Sequence, residues 1–176
     1  MKLYRCTICG EVYAGSEKPS HCPFCGAHEG LMVDAKDYVE KNIGQNISEK
    51  SKEYLRKTLE LEISNSRFYR GISKKSQNME IASLFKYLAK IEKEHADVAC
   101  KLMGIEVPDE VLGMDECSED DRENVEESLR REERATKLYT EFLKDVPEKR
   151  LKDLFTALIQ IESDHIGLDK EELERL

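Results

Sequence analysis

The second half of this chain repeats a set of chemically active residues at a constant spacing of 70 positions. Each copy contains a glutamate, a tyrosine seven residues later, a phenylalanine, and then a Glu-x-x-His segment. The first copy is Glu62, Tyr69, Phe85, Glu92 and His95, and the second is Glu132, Tyr139, Phe155, Glu162 and His165. Unrelated helices would rarely share five such residues in register. The repeat therefore predicts that four carboxylates and two imidazoles converge on one place.

We interpret this repeat as a ligand set for two metal ions. Residues three apart on a helix project from the same side, so each Glu-x-x-His pair can present two ligands together, with Glu62 and Glu132 completing one shell each. Four carboxylates in the apolar seam of a bundle would repel one another and lose their hydration, which two divalent cations would offset. Carboxylates and imidazoles with open positions favour iron or manganese over a closed zinc site. Di-iron carboxylate bundles use this ligand pattern.

The aromatic members of the repeat leave two interpretations open. Tyr69 and Tyr139 lie two helical turns after the first glutamate of their copy, and on the same face. They are either core aromatics whose hydroxyl groups find a partner, or residues that hydrogen-bond the ligands and shield them from side reactions. Phe85 and Phe155 are expected to pack in the core.

Hydrophobic periodicity predicts four helices after residue 47. The expected boundaries are Ser48 to Ser76 for the first helix, an Asn78 cap and a Gly104 end for the second, and a start in Ser118–Asp121 with an end near Lys144 for the third. Pro147 is expected in the first turn of the fourth helix. The inner face of that helix is expected to carry Leu151, Leu154, Leu158, Glu162, His165 and Leu168.

The connection between the second and third helices indicates how the bundle is threaded. Its roughly 14 residues could reach ~46 Å at about 3.3 Å per residue. A helix of about 28 residues is ~42 Å long. The connection can therefore run the whole length of the bundle. This predicts a mainly α protein with a ferritin-like four-helix bundle and one long crossover.

The first residues of the chain predict a separate metal site. Cys6, Cys9, Cys22 and Cys25 form two Cys-x-x-Cys-Gly segments, and four thiolates suit a tetrahedral zinc or a single iron. A stretch of fewer than ~40 residues rarely folds without such support. We expect a small four-cysteine domain at residues 1–38, a linker at 39–47 and the bundle at 48–176. His21 and His28 flank the second cysteine pair and are interpreted as surface residues, because four thiolates already fill the site.

The composition of the chain argues against some classes of binding partner. The formal net charge of −9 argues against nucleic acid or an anionic membrane as a partner, since both attract clustered Lys and Arg. No segment has the length and apolar character of a signal peptide or a membrane span. Six cysteines without such a signal are more typical of metal ligands and free thiols than of disulfides. We expect a cytoplasmic protein.

With both motif sets in view, the chain resembles the rubrerythrin family in its reversed order, with a rubredoxin-like domain placed first. The N-terminal resemblance is carried by Tyr4, Cys6, Cys9, Gly10, Tyr13, Cys22, Pro23, Cys25 and Gly26. The C-terminal resemblance lies in segments 62–69, 85–95, 132–139 and 155–165. Together these motifs cover nearly the whole length of the chain.

The resemblance implies a non-haem di-iron peroxidase that reduces hydrogen peroxide to water and protects against oxidative stress. It implies one Fe, or Zn as isolated, at the four cysteines, and two Fe at the carboxylate and histidine ligands. It also implies an external electron donor, such as rubredoxin or an NAD(P)H-dependent reductase, and a homodimer or higher homo-oligomer. The alternative is an oxygen-reducing oxidase, or a ferroxidase in iron handling, that uses the same di-iron site.

One position departs from the pattern of the family. Rubrerythrins commonly carry an additional glutamate ligand one turn from the third-helix glutamate, which corresponds to Glu132. This chain has Leu129 and Ala135 at the positions three residues away. Glu133 is adjacent to Glu132 but should point about 100° away from it. We therefore expect a symmetric set of six ligands, closer to that of bacterioferritin, with the preference between peroxide and dioxygen left open.

Overall fold

The computed structural model describes residues 1–176, and its N-terminal part is a small antiparallel sheet. The strands are β1 (Lys2–Cys6), β2 (Val12–Gly15) and β3 (Met32–Asp34), in the order β2-β1-β3. In this register Tyr4 of β1 lies opposite Tyr13 on one side and Asp34 on the other. Two single-turn 3-10 helices, Glu29–Leu31 and Ala35–Asp37, flank β3. The sheet carries the loops that hold the four cysteines.

The remainder of the chain forms four long helices. They are α1 (Glu49–Lys75), α2 (Met79–Met103), α3 (Asp121–Asp145) and α4 (Lys149–Arg175). The predicted cap at Asn78 is confirmed, since its side chain accepts hydrogen bonds from first-turn amides. Ser48, where the first helix was expected to begin, caps α1 in the same way. Gly104 ends α2 in the left-handed conformation, at φ 68°, as predicted. The expected fold class, a helical bundle behind a small four-cysteine domain, is confirmed.

Contacts at the two ends of the bundle show that the threading is as predicted. At one end the amide of Ser48, before α1, donates to Glu148, before α4, over 2.8 Å. At the other end the hydroxyl of Ser76, after α1, donates to Asp121 at the start of α3 over 2.9 Å. Because α2 runs back from the second end to the first, the chain must cross the full bundle before α3 begins.

The crossover lies directly against α1. A methyl group added at Gly71 would sit 2.3 Å from the carbonyl oxygen of Asp115, so only glycine allows this approach. Arg67 binds the carboxylate of Asp115 from the same face, with 2.6 Å between Nη2 and Oδ1. The crossover contains one 3-10 turn at Asp109–Leu112, which buries Val111.

Two expectations for the fourth helix were wrong. Pro147 lies before the helix rather than in its first turn, because Glu148 is the cap residue and the helix begins at Lys149. Leu168 is 36% exposed instead of facing inward, whereas the next residue, Asp169, is fully buried. The inner stripe therefore advances by four residues from His165 to Asp169, and it carries a carboxylate where an apolar side chain was expected.

The four-cysteine domain packs against the bundle of the same chain. Arg150, at the start of α4, is buried and donates over 2.6 Å to the carbonyl of Ile8 and to the side chain of Asn42. Buried residues of the sheet and of the helices belong to one continuous apolar cluster. None of the helices has the apolar character over a sufficient length to cross a bilayer.

Candidate metal centres

The four cysteines converge at the base of the sheet. All are buried and free of disulfide bonds, and the Sγ atoms of Cys6 and Cys25 lie 3.7 Å apart, as those of Cys9 and Cys22 lie 3.8 Å apart. These separations are those of neighbouring ligands around one tetrahedral ion. Gly10 and Gly26 have φ of 87° and 76°, so each turn after a second cysteine needs the left-handed freedom of glycine.

The surroundings of the sulfur atoms favour a bound cation. The amides of Ile8 and Glu11 point at the Sγ atoms of Cys6 and Cys9, at 3.4 and 3.5 Å, which stabilises negative sulfur. Hydrogen bonding among the four sulfurs lowers the pKa of Cys6 and raises the pKa of Cys25 well above that of a free thiol. One bound metal ion would replace the protons that the four buried sulfurs share in this way.

The six residues of the repeat also converge, in the centre of the bundle. The structure brings them together as two overlapping groups of four, in which Glu92 and Glu162 belong to both. The first group adds Glu62 and His95, and the second adds Glu132 and His165. Every helix supplies at least one member. The arrangement therefore has the two-fold symmetry of the sequence repeat, with shared glutamates on α2 and α4 and single glutamates on α1 and α3.

Distances around the two histidines follow the same symmetry. His95 Nδ1 lies 3.1, 3.4 and 3.6 Å from oxygens of Glu92, Glu162 and Glu62. His165 Nδ1 lies 2.9, 3.2 and 3.8 Å from oxygens of Glu162, Glu92 and Glu132. Each imidazole therefore turns the same nitrogen toward a ring of three carboxylates.

The donor atoms at this centre fit two cations. The buried atoms without a hydrogen-bond partner include Glu62 Oε2, Glu92 Oε1, Glu132 Oε2, both carboxylate oxygens of Glu162, and His165 Nδ1. Unpartnered buried charges are costly, and natural proteins retain them where ions bind. Oxygen and imidazole donors suit iron or manganese. The six residues would hold these ions, and Glu92 and Glu162 belong to both groups of donors.

The charged groups at this centre shift one another's pKa values. Burial raises the pKa of Glu62 and Glu132 well above that of a free carboxyl, and repulsion from Glu92 adds to this effect. Burial would raise the pKa of Glu92 as well, but the close imidazoles of His165 and His95 hold it well below its usual value. Burial would lower the pKa of His95, but the carboxylates around it raise it well above the ordinary value. The metal-free cluster therefore retains protons that cations would displace.

The two tyrosines of the repeat contact the ligands in a crossed pattern. The hydroxyl of Tyr69, on α1, donates to Glu132 on α3, and the hydroxyl of Tyr139, on α3, donates to Glu62 on α1. Each tyrosine thus holds the single glutamate of the other copy. Burial and the neighbouring carboxylate raise the pKa of both hydroxyls, so both keep their protons. Of the two interpretations of these residues, the geometry favours hydrogen bonding to the ligands.

The two histidines differ in what lies behind them. His95 Nε2 is 2.9 Å from the carbonyl oxygen of Cys25, so the imidazole joins the bundle centre to the four-cysteine site. His165 instead lines a cleft of about 630 Å³ between the four-cysteine domain and α4, together with Tyr87 and Ile161. The symmetric centre therefore has one side that faces the second metal site and one that faces an opening.

The structure contains a fifth buried carboxylate that was not predicted from the sequence. Asp169, one turn beyond His165, is fully buried, and neither of its oxygens has a hydrogen-bond partner. Ser128 is also fully buried, with an unpartnered hydroxyl. Their counterparts 70 positions earlier are Ala99 and Thr58, so the second copy carries an acid where the first carries a methyl group. A residue-by-residue comparison of the two copies could have revealed this difference.

Comparisons with known proteins identify the family to which both parts of the chain are related. A family model described as Rubrerythrin matches residues 53–120, and one described as Rubrerythrin, rubredoxin-like domain, matches residues 4–30. The chain belongs to the rubrerythrin family. Its order, with the rubredoxin-like domain before the helices, is the reversed one, and it is similar to "Reverse rubrerythrin-1" of Clostridium acetobutylicum. The two are 28% identical over 114 residues, which cover 59% of this chain and 63% of that relative.

As a rubrerythrin, this chain keeps the departure expected on α3. No carboxylate occupies the positions one turn from Glu132, and Glu133 is exposed, as its angle on the helix predicts. Asp169 is the one buried carboxylate outside the six-residue set, and it belongs to neither group of converging ligands.

Proposed function

We propose that this rubrerythrin is a non-haem peroxidase that reduces hydrogen peroxide, H2O2 + 2 H⁺ + 2 e⁻ → 2 H2O, in defence against oxidative stress. The observation that carries this proposal is the 2.9 Å contact between His95 Nε2 and the Cys25 carbonyl. It links a site built for one-electron transfer to a site with room for two metals. A storage or scaffold protein has little need of such a link.

The proposed cofactors are two Fe at the six-residue centre and one Fe, or Zn as isolated, at the four cysteines. Iron bound at these sites would supply redox chemistry: a pair of electrons at the bundle centre and single-electron exchange at the thiolates. The proposed ligands are the four glutamates 62, 92, 132 and 162, the histidines 95 and 165, and the four N-terminal cysteines.

The protein groups have separate tasks in this proposal. Tyr69 and Tyr139 fix the orientation of Glu132 and Glu62 and keep a proton on each hydroxyl beside the reacting space. The six ligand residues are nearly or completely buried, which excludes bulk water and strengthens every interaction with charge at the centre. Glu92 and Glu162 lie where a change of charge would be shared between both ligand groups.

The dimensions of the site support a very small substrate. The bundle interior around the ligands is packed with aromatic side chains, such as Phe85 against Tyr69 and Phe155 against Tyr139. The cleft at His165 opens directly beside one ligand residue of the centre. A molecule of two oxygen atoms suits this packed interior better than a larger organic substrate does.

We propose an external donor for the electrons and a homodimer or higher homo-oligomer as the assembly. The donor would be a rubredoxin or an NAD(P)H-dependent reductase. Exposed Phe24, between Cys22 and Cys25, offers an apolar contact close to the thiolates where such a donor could dock.

An oxygen-reducing oxidase or a ferroxidase would use the same ligands, so the test must separate the oxidants. The iron-loaded protein is reduced under anaerobic conditions and mixed with hydrogen peroxide or with dioxygen, while the colour of the ferric thiolate site is followed by stopped flow. We expect the colour to return faster with peroxide. Faster return with dioxygen would favour the oxidase or ferroxidase.

A variant of a proposed ligand residue tests whether the reaction takes place at the bundle centre. Replacement E92A should abolish peroxide turnover and leave the thiolate colour intact, because Glu92 belongs to both ligand groups. The matched control is E174Q, an exposed glutamate near the end of α4, which should behave as the wild type. Full peroxidase activity in E92A would refute the proposed centre.

A further inference from the structure

A third group of ligand-type side chains lies outside both metal centres. His28 Nε2 is 2.7 Å from Asp164 Oδ2, and His21 Nε2 is 3.6 Å from the same oxygen. The histidines come from the four-cysteine domain and the aspartate from α4. One donor atom from each residue lies within 4.8 Å of the other two.

The backbone and neighbouring side chains hold these residues in place. His21 and His28 face each other in an antiparallel bridge, and their rings meet edge to face with 4.9 Å between centroids. The Nδ1 atom of His21 is 3.1 Å from the hydroxyl of Ser20, which leaves Nε2 turned toward Asp164. The donors are therefore positioned by local structure on both sides of the interface between the domain and the bundle.

An ordinary ion pair accounts for only part of this arrangement. The contact between His28 and Asp164 is a hydrogen bond of normal length, but the separation of 3.6 Å is too long for a second one from His21. Two imidazoles nevertheless present the same nitrogen to one carboxylate oxygen. That convergence is what a shared cation requires, since a metal replaces the proton and draws in the second ring.

We infer that His21, His28 and Asp164 form a third metal site, which takes a divalent first-row transition ion such as Zn²⁺ and fastens the four-cysteine domain to the bundle. Two imidazoles and one carboxylate are a favourable donor set for Zn²⁺, with water in the remaining position. The three side chains are 40–48% exposed, so an ion can enter and keep its water. Glu171 lines the cleft that also contacts His21 and Asp164, and it adds negative charge there.

The consequence for the molecule is a metal-dependent attachment between its two parts. The ion would bind ligands from both sides of the interface, so its affinity would add to the contacts that keep Cys25 beside His95. A site of this kind differs from the other two centres in its exposure to solvent. Its occupancy would respond to free metal in solution rather than to oxidant.

The test is a zinc titration of protein already loaded with iron. Calorimetry should detect one further equivalent of Zn²⁺, X-ray absorption at the zinc edge should show imidazole and oxygen but no sulfur, and the iron content should not change. The variants H21Q/H28Q and D164N should bind Zn²⁺ at least about tenfold more weakly. The control E174Q removes one charge from the same helix and should bind as the wild type does.

A second measurement tests whether zinc stabilises the attachment of the four-cysteine domain to the bundle. Zinc should raise the thermal midpoint of the wild type and of E174Q, but not that of H21Q/H28Q or D164N, all with intact thiolate colour as the sign of correct folding. Zinc uptake that equals iron loss, a sulfur shell around the zinc, or equal affinity in D164N would each overturn the inference.

Discussion

His95 contacts the carbonyl oxygen of Cys25 through Nε2 while its Nδ1 faces three carboxylates. One imidazole thus spans the distance between the thiolate site and the bundle centre. The contact depends on how the four-cysteine domain sits on the helices, because Cys25 belongs to that domain. Residues that fix the domain should therefore control electron transfer without touching either set of ligands.

Arg150 provides the first prediction. Its guanidinium is buried and donates to the Ile8 carbonyl and to Asn42, and hydrogen bonds from a charged group are worth about 1.5–3 kcal/mol each. In R150A the domain should spend less time docked, so peroxide-driven return of the thiolate colour should slow by at least about tenfold. Stopped-flow mixing of the reduced, iron-loaded protein with peroxide measures this rate.

The matched control is K149A, which removes the neighbouring exposed cation. Lys149 pairs only with Asp153 on the same helix, so its loss should leave the rate unchanged. Equal slowing in both variants would mean that charge at the start of α4 matters rather than the docking contact.

The crossed tyrosines provide the second prediction. In Y69F the Glu132 oxygen loses its buried donor, and an unsatisfied buried acceptor costs about 1–3 kcal/mol. Y139F should cost a similar amount through Glu62, because the two copies are symmetric. Urea unfolding of samples with equal metal content measures the loss of free energy.

Tyr54 is the control for this pair of variants. Its hydroxyl donates to the exposed carboxylate of Asp145, so Y54F should cost less than about 0.5 kcal/mol. A loss in Y54F as large as that in Y69F would contradict a special role for the buried hydroxyls.

The sequence was sufficient to predict that the six residues of the repeat converge, because the 70-residue register is a property of the chain alone. It could not predict which glutamate each tyrosine would contact. That depends on how α1 and α3 face each other, and the crossed pairing of Tyr69 with Glu132 has no signal in spacing. The cap at Asn78 was predictable because its chemistry is local.

Contacts between the two parts of the chain were beyond prediction for a similar reason. His28 and Asp164 are 136 positions apart, and neither lies in a motif that specifies the other. Asp169 was missed because helical periodicity allows either Leu168 or Asp169 inside, and hydrophobicity favoured the leucine. The actual rotation of α4 places the acid inside and exposes the leucine at 36%.

Asp169 provides the third prediction. Burial raises its pKa to about 7, whereas an unfolded aspartate titrates near ~3.9. The native state therefore binds the proton more tightly, and this contribution to stability is full below about pH 4 and is lost as pH rises toward about 7. At pH 8 the ionised, unpartnered carboxylate costs about 4 kcal/mol relative to an aspartate without the shift.

The variant D169N carries no charge at any of these pH values. Its unfolding free energy relative to the wild type should rise between about pH 5 and about pH 8. E174Q is the control, since Glu174 lies on the same helix but is exposed, and its difference from the wild type should not follow this trend. A D169N difference that is constant with pH would show that Asp169 is already ionised in the native state.

Removal of metal provides the last prediction. In the metal-free protein the pKa values of Glu62 and Glu132 are raised by burial, and those of His95 and His165 are raised by the carboxylates around them. A raised native pKa stabilises the fold only while the proton is bound. Stability should therefore fall as pH rises from about 4.3 for the glutamates, and from about 6.5 for the histidines, through the native pKa values.

Iron should remove most of this dependence, because cations then occupy the places of the protons and release them on binding. The measurement is urea unfolding of chelator-treated and iron-loaded protein at several pH values from about 5.5 to about 8.5. We expect the unfolding free energy to fall steeply with pH for the chelator-treated protein and only slightly for the iron-loaded protein. The replacement E62Q should make the fall in the chelator-treated protein less steep. Equal pH dependence in both forms would mean that the buried carboxylates are neutralised by something other than metal, and that the six residues are not a metal centre.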